Sequence, residues 1–147
     1  MSYNSLIFLG ILIIQLFSTS HAEITLDGSL GPQNELSGPN YTIDADKGTL
    51  MGNNLFHSFQ TFNINHGESA TFIGPDNVAN IIGRITGGSA SQINGTLEST
   101  IPHADLYLLN PNGFVIGSSA YLNINGSLYL ALRSLNGIAS KGIMSRF

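Results

Sequence analysis

The chain has 147 residues, the length of one domain, with 5 Lys+Arg against 9 Asp+Glu and a net charge of -4. That acidic balance argues against a nucleic-acid or phosphate-binding role, which needs a basic face. With no Cys there is no disulfide framework, no CxxC redox pair and no thiolate zinc site.

The chain opens on an apolar run of 12 residues, Leu6 to Phe17. A membrane-spanning helix needs about 20 such residues. A secretory h-region needs about 7–15, followed by small residues at a cleavage site. Ser20 and Ala22 supply the small residues, although Met1 to Ser5 carries no Lys or Arg. Residues 1–22 are predicted to be a signal peptide cut after Ala22, leaving the 125 residues Glu23–Phe147.

Those 125 residues hold 16 Gly and 14 Asn. Both types enter left-handed backbone conformations cheaply and so mark turns. The longest Gly-free run, Thr96 to Asn112, contains Pro102 and Pro111, and no helix of ordinary length fits. Short strands are predicted at 24–26, 41–43, 62–64, 70–73, 80–85, 105–109, 120–125 and 127–130. Leu55, Phe59 and Phe62 have helix spacing, but aromatic residues, Thr61 and the flanking Asn and Gly favour an extended run there, with its Phe residues in the core. Asp105 to Leu109 is apolar on both faces, as in a strand covered on both sides. Leu122, Ile124, Leu128 and Leu130 alternate as inward positions. This spacing leaves a sandwich, a barrel and a β-solenoid open. Asn63-Ile64-Asn65-His66-Gly67 and Asn123-Ile124-Asn125-Gly126, each a strand end running into a Gly turn, hint at stacked rungs. Glu23 to Gly126 carries a charge of -7 and Ser127 to Phe147 carries +3, and the alternation stops near Ala131. Residues 132–147 are predicted to be a divergent, poorly ordered tail.

No nucleophile elbow, Walker loop, dinucleotide fingerprint or HExxH helix is present. His57, His66 and His103 are scattered, so nothing local points to a metal. Asp44 and Asp46 fall on one side of a strand but read as a solvated turn before Lys47-Gly48. Glu98 and Asp105 would be the carboxylates of a hydrolase reading. Asn40, Asn94 and Asn125 head glycosylation sequons. The strongest local motif is Asn110-Pro111-Asn112-Gly113. Asn110 can bond the backbone, Pro111 presets the second position, Asn112 is tolerated at the third, and Gly113 takes a left-handed fourth.

Five blocks then occur in order. They are Ile24–Gly31 (ITLDGSLG), Asn54–Asn63 (NLFHSFQTFN), Asn80–Arg84 (NIIGR) followed by Thr86-Gly87, Ile93–Leu97 (INGTL), and Leu106–Gly117 (LYLLNPNGFVIG). Together they resemble the N-terminal secretion domain of the filamentous haemagglutinin family, the exported partner of two-partner secretion. The resemblance covers Glu23 to about Leu130, and the domain is set at 23–131. It implies an all-β fold, a right-handed parallel β-helix with an N-terminal cap. It implies an adhesin-like protein at the cell surface or secreted, which passes the periplasm and is read by the POTRA domains of an outer-membrane β-barrel transporter. No cofactor, catalysis or nucleic acid enters; host or cell-surface glycans are a further partner class. The resemblance puts a secretion motif, structural or recognised, at Asn110, Pro111, Asn112 and Gly113 and at Asn54, Leu55, Phe56, His57, Ser58 and Phe59. Family members continue for many more rungs, so a chain stopping at Phe147 reads as truncated or frame-shifted. Two other readings stand beside it. One is a β-helix polysaccharide lyase or hydrolase, disfavoured because Lys47 and Arg84 are the only Lys or Arg residues between Glu23 and the tail. The other is a free-standing carbohydrate-binding domain using Tyr107, Tyr121 and Tyr129.

Overall fold

Alternating apolar residues make each segment a strand with one buried face, and the turns between them bring the chain back over itself after a nearly constant number of residues. The computed structural model describes residues 23–132 and 143–145. The predicted signal peptide and most of the predicted tail lie outside the described residues. In chain order the strands are β1 (Ile24–Leu26), β2 (Asn40–Ile43), β3 (Thr49–Met51), β4 (Asn54–Phe62), β5 (Ser69–Phe72), β6 (Asn80–Ile85), β7 (Ser91–Ile93), β8 (Thr96–Ser99), β9 (Asp105–Leu109), β10 (Phe114–Ile116), β11 (Tyr121–Ile124), β12 (Leu128–Ala131) and β13 (Ile143–Ser145). A single 3-10 turn spans Ala45–Lys47.

Parallel pairing decides among the three architectures. β4, β6, β9 and β12 stack in parallel; so do β2, β5, β8 and β11; β7 and β10 form a third stack. An isolated parallel bridge from Ile64 to Ile93 extends that third stack to the first rung. The register Asn54↔Asn80↔Asp105 advances 26 and then 25 residues, and Leu106↔Leu128 advances 22. The chain is a parallel β-solenoid of about four turns.

Stacking puts like on like. Leu55, Ile81, Leu106 and Leu128 lie in one inward ladder, and Ile43 and Phe72 in another. Gly83 is the exception, and it has a reason. It sits between His57 and Leu108, and a Cβ there would lie 2.8 Å from Leu108 Cδ2 and 3.2 Å from the Phe59 ring. The glycine makes room for the Phe59 ring, large against small as close packing requires. Phe59 meets Phe62 edge-on at 4.9 Å between centroids, and Phe72 lies within 6.4 Å.

Two expectations change. Phe59 and Phe62 are core, but Phe56 points outward and is only half-buried. Asp105–Leu109 alternates: Leu106 and Leu108 are buried, while Tyr107 and Leu109 are half-buried on the outer face. That face is covered by its own ladder, not by a second layer: Tyr107 stacks flat on Tyr129 at 4.5 Å and 6°.

The two ends of the stack differ. At the N-terminal end β1 and β3 both pair antiparallel with one edge of β4 and so cap it. At the other end β13 pairs antiparallel with β12, whereas β10 and β11 have no further strand on their outer edges among the described residues. Exposure follows from this: Val115, Ile116, Tyr121 and Leu132 are the large apolar groups most open there.

Candidate functional site: a turn, a latch and the groove between them

The Asn110–Gly113 turn joins β9 to β10. Asn110 is 0% exposed. Its Oδ1 accepts from the Asn112 amide at 2.9 Å, and its Nδ2 donates to the Ser89 carbonyl at 3.1 Å and to Ser91 Oγ at 3.0 Å. The Gly113 amide donates to the Asn110 carbonyl at 3.0 Å, which closes the turn, and Gly113 has φ +94°, a region that favours glycine. Asn112 is exposed, and its Nδ2 donates to the Gly87 carbonyl at 2.9 Å. The Asn110 amide donates to the Ala131 carbonyl at 2.9 Å. The turn therefore clamps the third rung to the second on one side and to the fourth on the other.

The Asn54–Phe59 motif lies two strands away in β4, with β6 between, so it makes no sheet contact with β9. Leu55, His57 and Phe59 face the core. Asn54 Oδ1 accepts from Asn80 Nδ2 at 2.8 Å. His57 is 1% exposed, and neither ring nitrogen has a hydrogen-bond partner. Burial pushes its pKa down to about 4, against smaller raising effects of the Lys47 backbone and the Asp44 and Asp46 carboxylates.

Ser58 belongs to a second constellation that no strand pattern announces. Its hydroxyl donates to Asp27 Oδ2 at 2.7 Å and accepts from Arg84 Nε at 2.7 Å. Ser29 repeats the arrangement, donating to Asp27 Oδ1 and accepting from Arg84 Nη2, both at 2.7 Å. The Ser29 amide and the Thr86 hydroxyl add bonds to Asp27 at 2.9 and 2.8 Å. Burial alone would raise the Asp27 pKa, but the bonds from Ser58, Ser29 and Thr86 outweigh it and hold it at about 2. This latch ties the loop after β1 to both β4 and β6.

Between latch and turn lies a groove of about 610 Å³ lined by Arg84, Ile85, Thr86, Leu109, Pro111 and Asn112. The second rung thus links the two predicted motifs: Arg84 reaches back to Ser58 and Thr86 to Phe59, and the Gly87 carbonyl accepts from Asn112. Asp27, Ser29, Arg84, Thr86 and Ser91 carry this link, and no role was read for them in the sequence. A signal existed: Arg84 is one of two Lys or Arg residues in an acidic stretch, and Asp27-Gly28-Ser29 and Arg84 fall inside the five blocks of the resemblance.

The residues of the alternative readings do not converge. Glu98 accepts from Thr71 and Asn123 on the β8 face, while Asp105 accepts from the Ser127 amide at the start of β9. Asp44 accepts from the Ala45 amide, and Asp46 pairs with Lys47 at 2.7 Å. Among the described residues no group of three or more His, Cys, Asp or Glu could hold a metal. Tyr107 and Tyr129 cover each other's faces, and Tyr121 stands exposed.

The sequence profile of the TPS secretion domain matches residues 22–140. The chain belongs to the TPS secretion domain family. It is therefore a two-partner secretion exoprotein, of the class secreted through the outer membrane. The match runs past Leu130, where the resemblance read from the blocks ends. Two heme/hemopexin-binding proteins of Haemophilus influenzae are similar to it. One is 34% identical over 84 residues, 57% of this chain and 9% of that protein. The other is 36% identical over 70 residues, 48% of this chain and 7% of that protein. The aligned segment is under a tenth of either relative.

Proposed function

We propose that this domain is the part of an adhesin-like exoprotein that the POTRA domains of its partner outer-membrane barrel read in the periplasm, and that its motif residues act by folding, without catalysis. The observation that carries this is where the motif side chains sit. Leu55, His57, Ser58, Phe59 and Asn110 are all buried in the folded domain, so they are poorly placed as contacts for a partner. In the extended chain the alternating strands offer backbone edges that a partner sheet can extend. Once outside, each rung buries its apolar face on the previous one, and nearest-neighbour stacking of this kind opposes return.

Two measurements separate reading from folding. Asn110→Ala should bind isolated POTRA domains like the unaltered chain when both are diluted from denaturant, yet export of a C-terminally fused reporter should fall several-fold. Full export of Asn110→Ala would sink the folding role. Export that does not need the partner transporter would sink the whole reading.

A further inference from the structure

Asp27 gathers hydrogen bonds from residues 2, 31 and 59 positions along the chain, which are Ser29, Ser58 and Thr86. Arg84 closes the network from 55 positions away by donating to Ser29. A guanidinium has no acceptor, so both serine hydroxyls must accept from Arg84 and turn their own protons to Asp27. Two parallel relays therefore run from the cation to the carboxylate. Thr86 has a second acceptor within reach, the Phe59 carbonyl at 3.1 Å. Asp27 Oδ2 is nearer, at 2.8 Å, and charged, so it is the stronger acceptor for the hydroxyl proton.

The element held by this network is weak alone. β4 has nine residues, and its capped edge is shared by two strands of three residues each. β3 pairs with Asn54–Phe56 and β1 with Phe59–Phe62, leaving a break at His57 and Ser58. Into that break the Asp27 amide donates to the Ser58 carbonyl at 3.2 Å. Strands so short are marginal without added support. Residues 34–36 hold the outer edge of β1 through the Leu26 and Leu36 amides, and on the side facing β4 the support comes from the second rung.

We propose that the Asp27 network is a coincidence lock on the N-terminal cap: β1 holds the β4 edge stably only once Arg84 and Thr86 of the second rung have stacked. The first stable unit of the folding chain then extends through Thr86, and until that point the β4 edge stays open to another strand. The lock is a property of the folded chain; its use during export rests on the reading proposed above.

Hydrogen exchange on the whole chain tests the lock with no transporter present. Thr86→Val removes the hydroxyl at nearly constant shape. It should lower protection of the Asp27 amide, which donates to the Ser58 carbonyl, about ten- to a hundredfold while leaving the Asn110 amide, on the third rung, unchanged. Asp27→Asn should do the same, and the double variant should lose little more than either single one. Thr86→Ser should restore protection. Thr71→Val, which loses an outward hydroxyl on β5, should leave the cap untouched. Effects of Asp27→Asn and Thr86→Val that simply add, or a Thr86→Val cap as protected as the Thr71→Val cap, would overturn the proposal. Loss of POTRA binding in an otherwise unaltered, locked chain would count against the export reading and leave the lock standing.

Discussion

Asn110 is the most exacting position in the domain. Asn110→Ala deletes three side-chain hydrogen bonds at a site with no solvent exposure. At about 1 kcal/mol net per bond the loss is about 3 kcal/mol. Two corrections pull in opposite directions. Ser91 is 1% exposed, so its hydroxyl is left facing a void. Ser89 and Asn112 are exposed, and water can reach their backbone groups. The balance stays at about 2–4 kcal/mol. With a urea m-value of about 2 kcal/mol/M, the denaturation midpoint should fall by about 1–2 M at unchanged m. Asn110→Asp should be worse than Asn110→Ala at pH 7, because it sets a carboxylate against the Ser89 carbonyl and buries a charge. It should recover part of its stability as the pH is lowered and the acid protonates. An alanine variant within 0.5 kcal/mol of the parent, or an aspartate variant no worse than alanine, would refute the clamp assigned to this turn.

The same logic reaches five other positions. Gly113→Val finds steric room, since a Cβ there would lie 3.7 Å from Leu132 Cδ2, but it carries a β-branched residue at φ +94°. The expected cost is about 1–3 kcal/mol of backbone strain, with a matching loss of reporter export; unaffected export would contradict it. Phe59→Ala should cost about 3–5 kcal/mol by thermal melting, and Phe56→Ala, on the outer face, clearly less; equal losses would mean that Phe56 is core after all. His57 has a folded pKa of about 4 against 6.5 when unfolded. The unfolded chain binds the extra proton between those values, so stability should fall by up to about 3 kcal/mol as pH drops from 6.5 to 4. His57→Leu should flatten that slope, and an unchanged slope would place the titration elsewhere. Asp27 acts in a lower window. Its folded pKa of about 2 lies below the ordinary 3.8, so its contribution is intact above pH 3.8 and is lost as pH falls through 2, a step that Asp27→Asn should abolish.

Most of the strands were legible because each rung repeats one local rule. Ile24–Leu26, Asn80–Ile85 and Asp105–Leu109 fall where the short apolar runs and the turn residues between them place them. Choosing a solenoid over a sandwich was not legible from alternation, because both need strands with one buried face. That choice lies in register between residues 22 to 26 positions apart, and only the resemblance of the five blocks carried it. The outer face misled for a related reason. Tyr107 looks like a buried residue, yet it needs only a Tyr129 one rung away to cover it. In a stacked fold, partial burial comes from the next turn of the same ladder and requires no second layer.

The latch marks the limit of what pattern can reveal. Asp27, Ser58, Arg84 and Thr86 are individually ordinary polar residues in the sequence, and their meeting depends on stacking three stretches of chain in the right order. The turn differs, since Asn110 and Gly113 declare their geometry within four residues. Yet the two devices are built alike: each uses a side chain of one turn to satisfy polar groups on neighbouring turns, Asn110 through Ser89 and Ser91, Asp27 through Ser58 and Thr86. Apolar ladders alone would tolerate slippage, because one Leu or Ile stacks on another nearly as well as on the next. Polar groups that must find one partner penalise every wrong register. A domain that stacks one rung on the next needs that penalty most at its first rungs, since each later rung copies the register below it.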